Sequence, residues 1–141
     1  MSLLAKLYPP FLGGRPAVGL LVLRVVAGTA MALHGVGKIQ NPFAWAGDSI
    51  PAPAQAIAAV CEFFGGICLA AGLLTPAATL GIAATMLVAA STHILKGDPF
   101  VGKGGSYELA AVHGAIALAV GLVGPGTLSL DHAIFGKRLR A

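Results

Sequence analysis

Four predominantly apolar runs, at residues 17–36, 54–74, 77–95 and 107–123, constrain this chain more than any other feature. A helix needs about 20 apolar residues to cross the roughly 30 Å hydrocarbon layer of a bilayer, and each run approaches that length. None alternates polar with apolar residues, as a barrel strand must, so the runs are read as helices. Glycine and proline punctuate the gaps. "NPFAWAGDSIPAP" (41–53) is a long loop in which Trp45 suits an interfacial anchor, "GLLTPA" is a tight hairpin, and "KGDPFVGKGGS" is a second long loop. The expected fold is an all-α membrane protein with four transmembrane helices in an up-down-up-down bundle.

Composition agrees. Of 141 residues, 57% are hydrophobic and 10% charged, and the mean hydropathy is +0.86. A soluble domain carries about 25% charged residues, so this chain has too few to cover a wetted surface. The net charge of +4 does not point to nucleic acid, because the basic residues sit at the ends of apolar runs and are not interleaved with stacking aromatics. Lys6, Arg15, Lys137, Arg138 and Arg140 flank the terminal side, against Lys38, Lys96 and Lys103 on the other. The bias expects a multi-pass protein of the cell membrane with both termini cytoplasmic. Residues 1–16 are expected to form an interfacial arm with Tyr8 and Phe11 at headgroup level, 17–131 the transmembrane domain, and 132–141 a basic cytoplasmic tail. Ala30-Met31-Ala32 resembles a signal cleavage site, but Arg24 interrupts the apolar segment before it and the run continues past it to spanning length.

Charges at membrane depth are costly, about 2.5 kcal/mol upward, and those present normally face the bundle interior with partners. On the first helix Arg24, Gly28, Met31, His34 or Gly35, and Lys38 recur at three- and four-residue steps and share one stripe. The second helix carries Glu62, followed on nearly the same face by Gly65, Gly66, Leu69 and Gly72, whose small members admit a close neighbour. Glu62 is the one carboxylate deep in a predicted span and the expected counter-ion of Arg24. At 1.5 Å per residue Glu62 lies about 12 Å from the loop side and Arg24 about 20 Å, a gap an arginine can bridge.

His34, Lys38, Glu62, His93, Glu108 and His113 gather toward the loop side, where they are expected to line one cavity suited to a small ligand. Glu108 and His113 lie about 140° apart around their helix, so a narrow cavity admits one of them. Lys38, Lys96, Glu108 and His93 also have an ordinary reading as interfacial residues, and Arg24 with Glu62 as a structural ion pair. His34, His93 and His113 fall at similar depths on three helices, which leaves a bis-histidine haem open, although no metal-ligand spacing is present. Cys61 and Cys68 are about 10 Å apart along one helical stripe, too far for a disulfide, and read as small core residues.

The motifs "LRVVAGTAMALHGVGK", "EFFGGICLAAGLLT", "GGSYELA" and "GPGTLSLD", in this order over about residues 17–131, resemble the DoxX family of small four-helix membrane proteins. The resemblance implies a four-helix bundle and an oxidoreductase-like role, because relatives serve as small subunits of a membrane thiosulfate:quinone oxidoreductase. It places the family's intramembrane polar pattern on Arg24, His34, Gly35 and Lys38, on Glu62, Gly65 and Gly66, and on Tyr107 and Glu108. His113 and the cysteines fall outside that pattern. The leading expectation is a redox-system subunit, quinone-linked, that works with a redox partner protein. In that reading Glu62, Arg24 and Glu108 are the catalytic residues, with a histidine or Arg24 donating to a quinone carbonyl and Glu62 or Glu108 relaying a proton, and His34, Lys38, His93, Gly65, Gly66, Tyr107 and His113 bind the ligand. The alternatives are a non-catalytic anchor that recruits a partner enzyme, and a solute or proton pathway along the polar stripe. The small faces of the first two helices would equally serve a homo-oligomer.

Overall fold

The computed structural model describes residues 7–137, all-helical. Four principal helices follow one another: α1 (Gly14–Gln40), α2 (Ala52–Ala71), α3 (Thr75–Leu95) and α4 (Glu108–Val123). A short α5 (Leu130–Phe135) closes the chain. The first three are long and apolar enough to cross a bilayer. α4, with 16 residues, extends about 24 Å.

Neighbouring helices run antiparallel. Gly35 lies against Phe63 while Gly28 lies against Gly66 and Ala70, Gly81 meets Cys61 while Ala78 lies near Gly65, and Gly114 meets Met86 while Gly121 meets Thr79. The expected up-down-up-down bundle is therefore present. One end carries both long loops; the other carries the α2–α3 hairpin, the N-terminal arm and α5.

Burial is inverted relative to a soluble protein. The interior holds small residues, two methionines and polar groups, including Arg24, Gln55, Glu62, Thr79 and Asp131. Leu33, Leu80, Leu87 and Leu122 are each about 70–80% exposed. Without a hydrophobic drive between helices in lipid, close backbone contact holds such a bundle together. α1 and α2 show it most clearly: a Cβ on Gly28 would stand 2.5 Å from the Ala70 nitrogen, one on Gly35 2.5 Å from the Phe63 nitrogen, and one on Gly66 would fall on the Ala32 amide.

The expected hairpin has its anticipated punctuation. Gly72 caps α2 at φ 63°, with Leu73 N–H donating to the Cys68 carbonyl and Gly72 N–H to that of Leu69, the paired bonds of a Schellman turn. Leu74 then takes φ 47°, a left-handed conformation unfavourable for a leucine. Asp131 holds it there, its carboxylate accepting from Leu74 N–H (2.7 Å) and Thr75 N–H (2.8 Å), the otherwise orphaned donors at the start of α3.

α1 starts at Gly14 and ends at Gln40, longer at both ends than the apolar pattern, because Arg15 and Lys38 continue the helix. The arm before it folds inward. Tyr8 is buried and packs on Phe11 and Phe135, and Phe11 meets His132 edge-on. Tyr8, expected at headgroup level, is covered by α5. Burial and the nearby Asp131 carboxylate push its pKa up to about 12. Lys6, Arg138 and Arg140, on which the expected charge bias partly rests, lie outside the described residues, as do 1–6 of the arm and 138–141 of the basic tail.

Candidate functional site

The expected Arg24–Glu62 pair does not form. Arg24, fully buried, donates from Nη1 to the Leu69 (3.4 Å) and Ala70 (3.3 Å) carbonyls and from Nη2 to the Leu128 carbonyl (2.6 Å). It caps the C-terminal carbonyls of α2, at the negative end of that helix. Glu62 instead accepts from Lys38 Nζ at 2.7 Å. The reason lies in side-chain direction. Helical Cα–Cβ bonds tilt toward the helix N-terminus, so on antiparallel helices Arg24 leans toward the terminal end while Glu62 leans toward the loops, away from each other. Lys38, beyond Gly35 on α1, leans down toward Glu62.

The Lys38–Glu62 pair forms the polar wall of a cavity of about 470 Å³ in the loop-side half of the bundle. α1 contributes Met31, His34 and Lys38; α2 contributes Ile57 and Glu62; α3 contributes Thr85, Met86 and His93. Ser106, Leu109 and Ala110 bound it on the α4 side. Trp45 closes the loop side, and the Lys38 ammonium sits 4.3 Å from the centre of its ring, a cation–π contact. Trp45, expected as an interfacial anchor, also forms a cavity wall. Ile57 and Val88, also lining residues, are each 63% exposed, so the α2 and α3 walls of the cavity reach the outer surface of the bundle.

Gln55 holds this wall. Buried on the first turn of α2, it accepts from Ala46 N–H (2.7 Å) and donates to the Gly47 and Ile50 carbonyls (2.7 Å each), while Trp45 Nε1–H donates to its backbone carbonyl (2.9 Å). Gln55→Leu is expected to orphan three loop groups and destabilise the loop by about 2–3 kcal/mol. Trp45, the single tryptophan, should then show red-shifted emission; unchanged emission would contradict this role.

His93, the last-turn histidine of α3, holds Asp98 through Nδ1 at 2.7 Å. Asp98, Gln55 and Asp131 are the polar residues that sequence reasoning passed over. Asp98 lies in a loop, Gln55 reads as a helix-start residue, and Asp131 ends the quoted tail motif "GPGTLSLD", the one available signal.

Of the other anticipated residues, Gly65 packs on Ile82 of α3 and Gly66 on α1, so both serve helix contact and line neither cavity. Glu108 is exposed, its backbone N–H donating to the Phe100 carbonyl. Tyr107 meets Phe100 edge-on. Neither lines the main cavity. His113, whose Nδ1 lies 3.0 Å from the Leu109 carbonyl, faces a smaller cavity between α1 and α4 that it shares with His34. His34, Lys38, Glu62 and His93 are thus brought together; Arg24, Tyr107, Glu108 and His113 are not among them. Cys61 and Cys68 are free thiols, and Cys61 Sγ packs against Gly81.

The DoxX family model matches residues 19–94, more than half of the chain. The chain belongs to the DoxX family. With its apolar helices, this DoxX protein is an integral, multi-pass membrane protein. The matched segment contains Arg24, His34, Lys38, Glu62 and His93, and ends before Asp98, α4 and Asp131. Comparison with curated proteins and with solved structures finds no match.

Proposed function

We propose that this DoxX protein binds a quinone in the loop-side cavity and serves as the membrane subunit of a redox system. The observation that carries the reading is Glu62 Oε2, a buried carboxylate oxygen that lacks a hydrogen-bond partner among the described residues, on a side chain that lines a mostly apolar cavity. Its sister oxygen is held by Lys38. The site thus offers, side by side, an ammonium with protons to donate and a carboxylate oxygen with a lone pair to give, inside an apolar enclosure. A quinone head group fits this set: its oxidised form presents carbonyl acceptors, its reduced form hydroxyl donors, and it travels in the bilayer. When bound, it would supply two-electron, two-proton chemistry, with electrons exchanged with a partner protein.

The chain's own residues govern protons and position. Lys38 donates to an acceptor at the polar wall, and Trp45 fixes the ammonium from above. Glu62 orients Lys38 and accepts from a donor. Arg24 stands at the other end of the bundle and keeps its place there as a helix cap. The excess of Lys and Arg on the terminal side supports an orientation with both termini in the cytoplasm, which places the cavity in the outer half of the membrane.

The test uses Trp45 as an internal reporter. Duroquinone added to the full-length protein in detergent is expected to quench its emission saturably. Lys38→Met is expected to weaken duroquinone binding by about tenfold or more, and Glu62→Gln, which removes a charged acceptor, to weaken duroquinol binding to a similar degree. Linear quenching that both variants share with wild type would reject the reading.

A further inference from the structure

His93 reaches its partner through a helix-ending turn. α3 closes with Gly97 N–H donating to the Ile94 carbonyl (2.9 Å) and Asp98 N–H to the His93 carbonyl (3.0 Å), with Gly97 at φ 79°. This second Schellman turn folds the chain back so that residue 98 stands over residue 93. The positive φ is what glycine tolerates and other residues resist. The Asp98 carboxylate also lies so close to Gly105 that a Cβ there would stand 2.5 Å from Oδ2, so the following loop is shaped around this carboxylate.

An ionised carboxylate only accepts hydrogen bonds, so the 2.7 Å contact requires the proton on His93 Nδ1. In the neutral ring the other nitrogen, Nε2, then carries a lone pair and no proton. His93 lines the main cavity, and Nε2 has no partner among the described residues. We infer that Asp98 is a positioning residue that fixes His93 in the Nδ1–H form, so that Nε2 presents a hydrogen-bond acceptor to the cavity and favours the hydroxyl-bearing, reduced form of the ligand. The inference rests on the quinone reading and deepens it. Lys38 serves a carbonyl oxygen, while His93 serves a hydroxyl proton. One cavity therefore holds a donor and an acceptor on different helices, and the acceptor's identity is written in a turn outside the apolar spans.

Two measurements on the full-length protein in detergent test it, at about pH 9, where an ordinary imidazole is neutral. In the first, ¹⁵N-labelled histidine is observed by NMR, with His93→Gln identifying the resonances. The proton is expected on Nδ1 in wild type and in Asp98→Asn, whose Oδ1 still accepts, and on Nε2 in Asp98→Ala. In the second, duroquinol and duroquinone, which differ by two hydrogen atoms, are titrated under argon against Trp45 emission. Wild type is expected to prefer duroquinol by at least about fivefold, the worth of the one hydrogen bond that His93 adds. Asp98→Ala should lower the preference by about fivefold, leaving what the Glu62 acceptor contributes, and Asp98→Asn keep it. A proton on Nε2 in wild type, or a preference untouched by Asp98→Ala, overturns the inference while duroquinone binding leaves the quinone reading standing. Binding of neither compound rejects both.

Discussion

Asp131→Ala is expected to destabilise the protein by about 3–5 kcal/mol, the cost typical of breaking a buried, hydrogen-bonded charge arrangement from one side. The carboxylate is fully buried and accepts from the two backbone amides that restart the chain as α3. Its own N–H donates to the Gly72 carbonyl (2.8 Å), beside which the Arg24 guanidinium also packs. Removal leaves two amides unpaired, releases Leu74 from its left-handed conformation, and strands the buried guanidinium without the opposite charge across the turn. Asp131→Asn, which keeps one acceptor, should cost less. Arg24→Met combined with Asp131→Asn should cost less than the sum of the two single changes, because both buried charges leave together. Detergent-titrated unfolding measures these three and Arg24→Met alone. A change below about 0.5 kcal/mol for Asp131→Ala, the range of ordinary surface substitutions, would show that α5 does not secure the hairpin.

Gly66→Val is expected to be comparably damaging, for a packing reason. A Cβ at this position falls on the Ala32 amide and lies 2.7 Å from the Gly28 carbonyl oxygen. Those are backbone atoms, so no rotamer relieves the overlap and the helices must separate. Even Gly66→Ala should destabilise by about 1–3 kcal/mol, although replacing glycine by alanine ordinarily favours a helix by up to about 1 kcal/mol. Gly37 supplies the control, since a Cβ there meets nothing within 4 Å; Gly37→Ala should be neutral or stabilising. Thermal unfolding in detergent reads the contrast. Equal behaviour at the two positions would contradict the close α1–α2 contact. Separation of α1 from α2 also pulls Lys38 from Glu62, so the Gly66 variants should lose cavity function along with stability.

The stripe Arg24, Gly28, Met31, His34 or Gly35, and Lys38 was legible because a 3.6-residue period puts these side chains near one face whatever surrounds the helix; Arg24, Gly28, Met31 and Gly35 are indeed buried, while Lys38 is half-buried and His34 exposed. The gathering of His34, Lys38, Glu62 and His93 was legible for a similar reason: span boundaries set depth, and depth sorted the polar residues by end. The partner of each charge was not legible. Depth alone brought Arg24 and Glu62 within apparent reach, but the two side chains tilt apart on antiparallel helices, and α1 proved longer than its apolar run. Asp98 and Asp131 escaped notice because both act from turns, where helical periodicity carries no information and the fold of the loop decides what the carboxylate meets.

The sequence by itself determined that this is a membrane protein of four antiparallel helices, because run length against bilayer thickness and glycine–proline punctuation are local properties of the chain. It also determined which helix faces turn inward, since small and polar residues recur there at the helical period. Only the tertiary structure decided which charges meet: Lys38 with Glu62 at the cavity, Arg24 with the end of α2, Asp131 with the start of α3. A hydrogen bond depends on direction within a few ångströms, and that direction is set jointly by two elements whose register neither one's sequence contains.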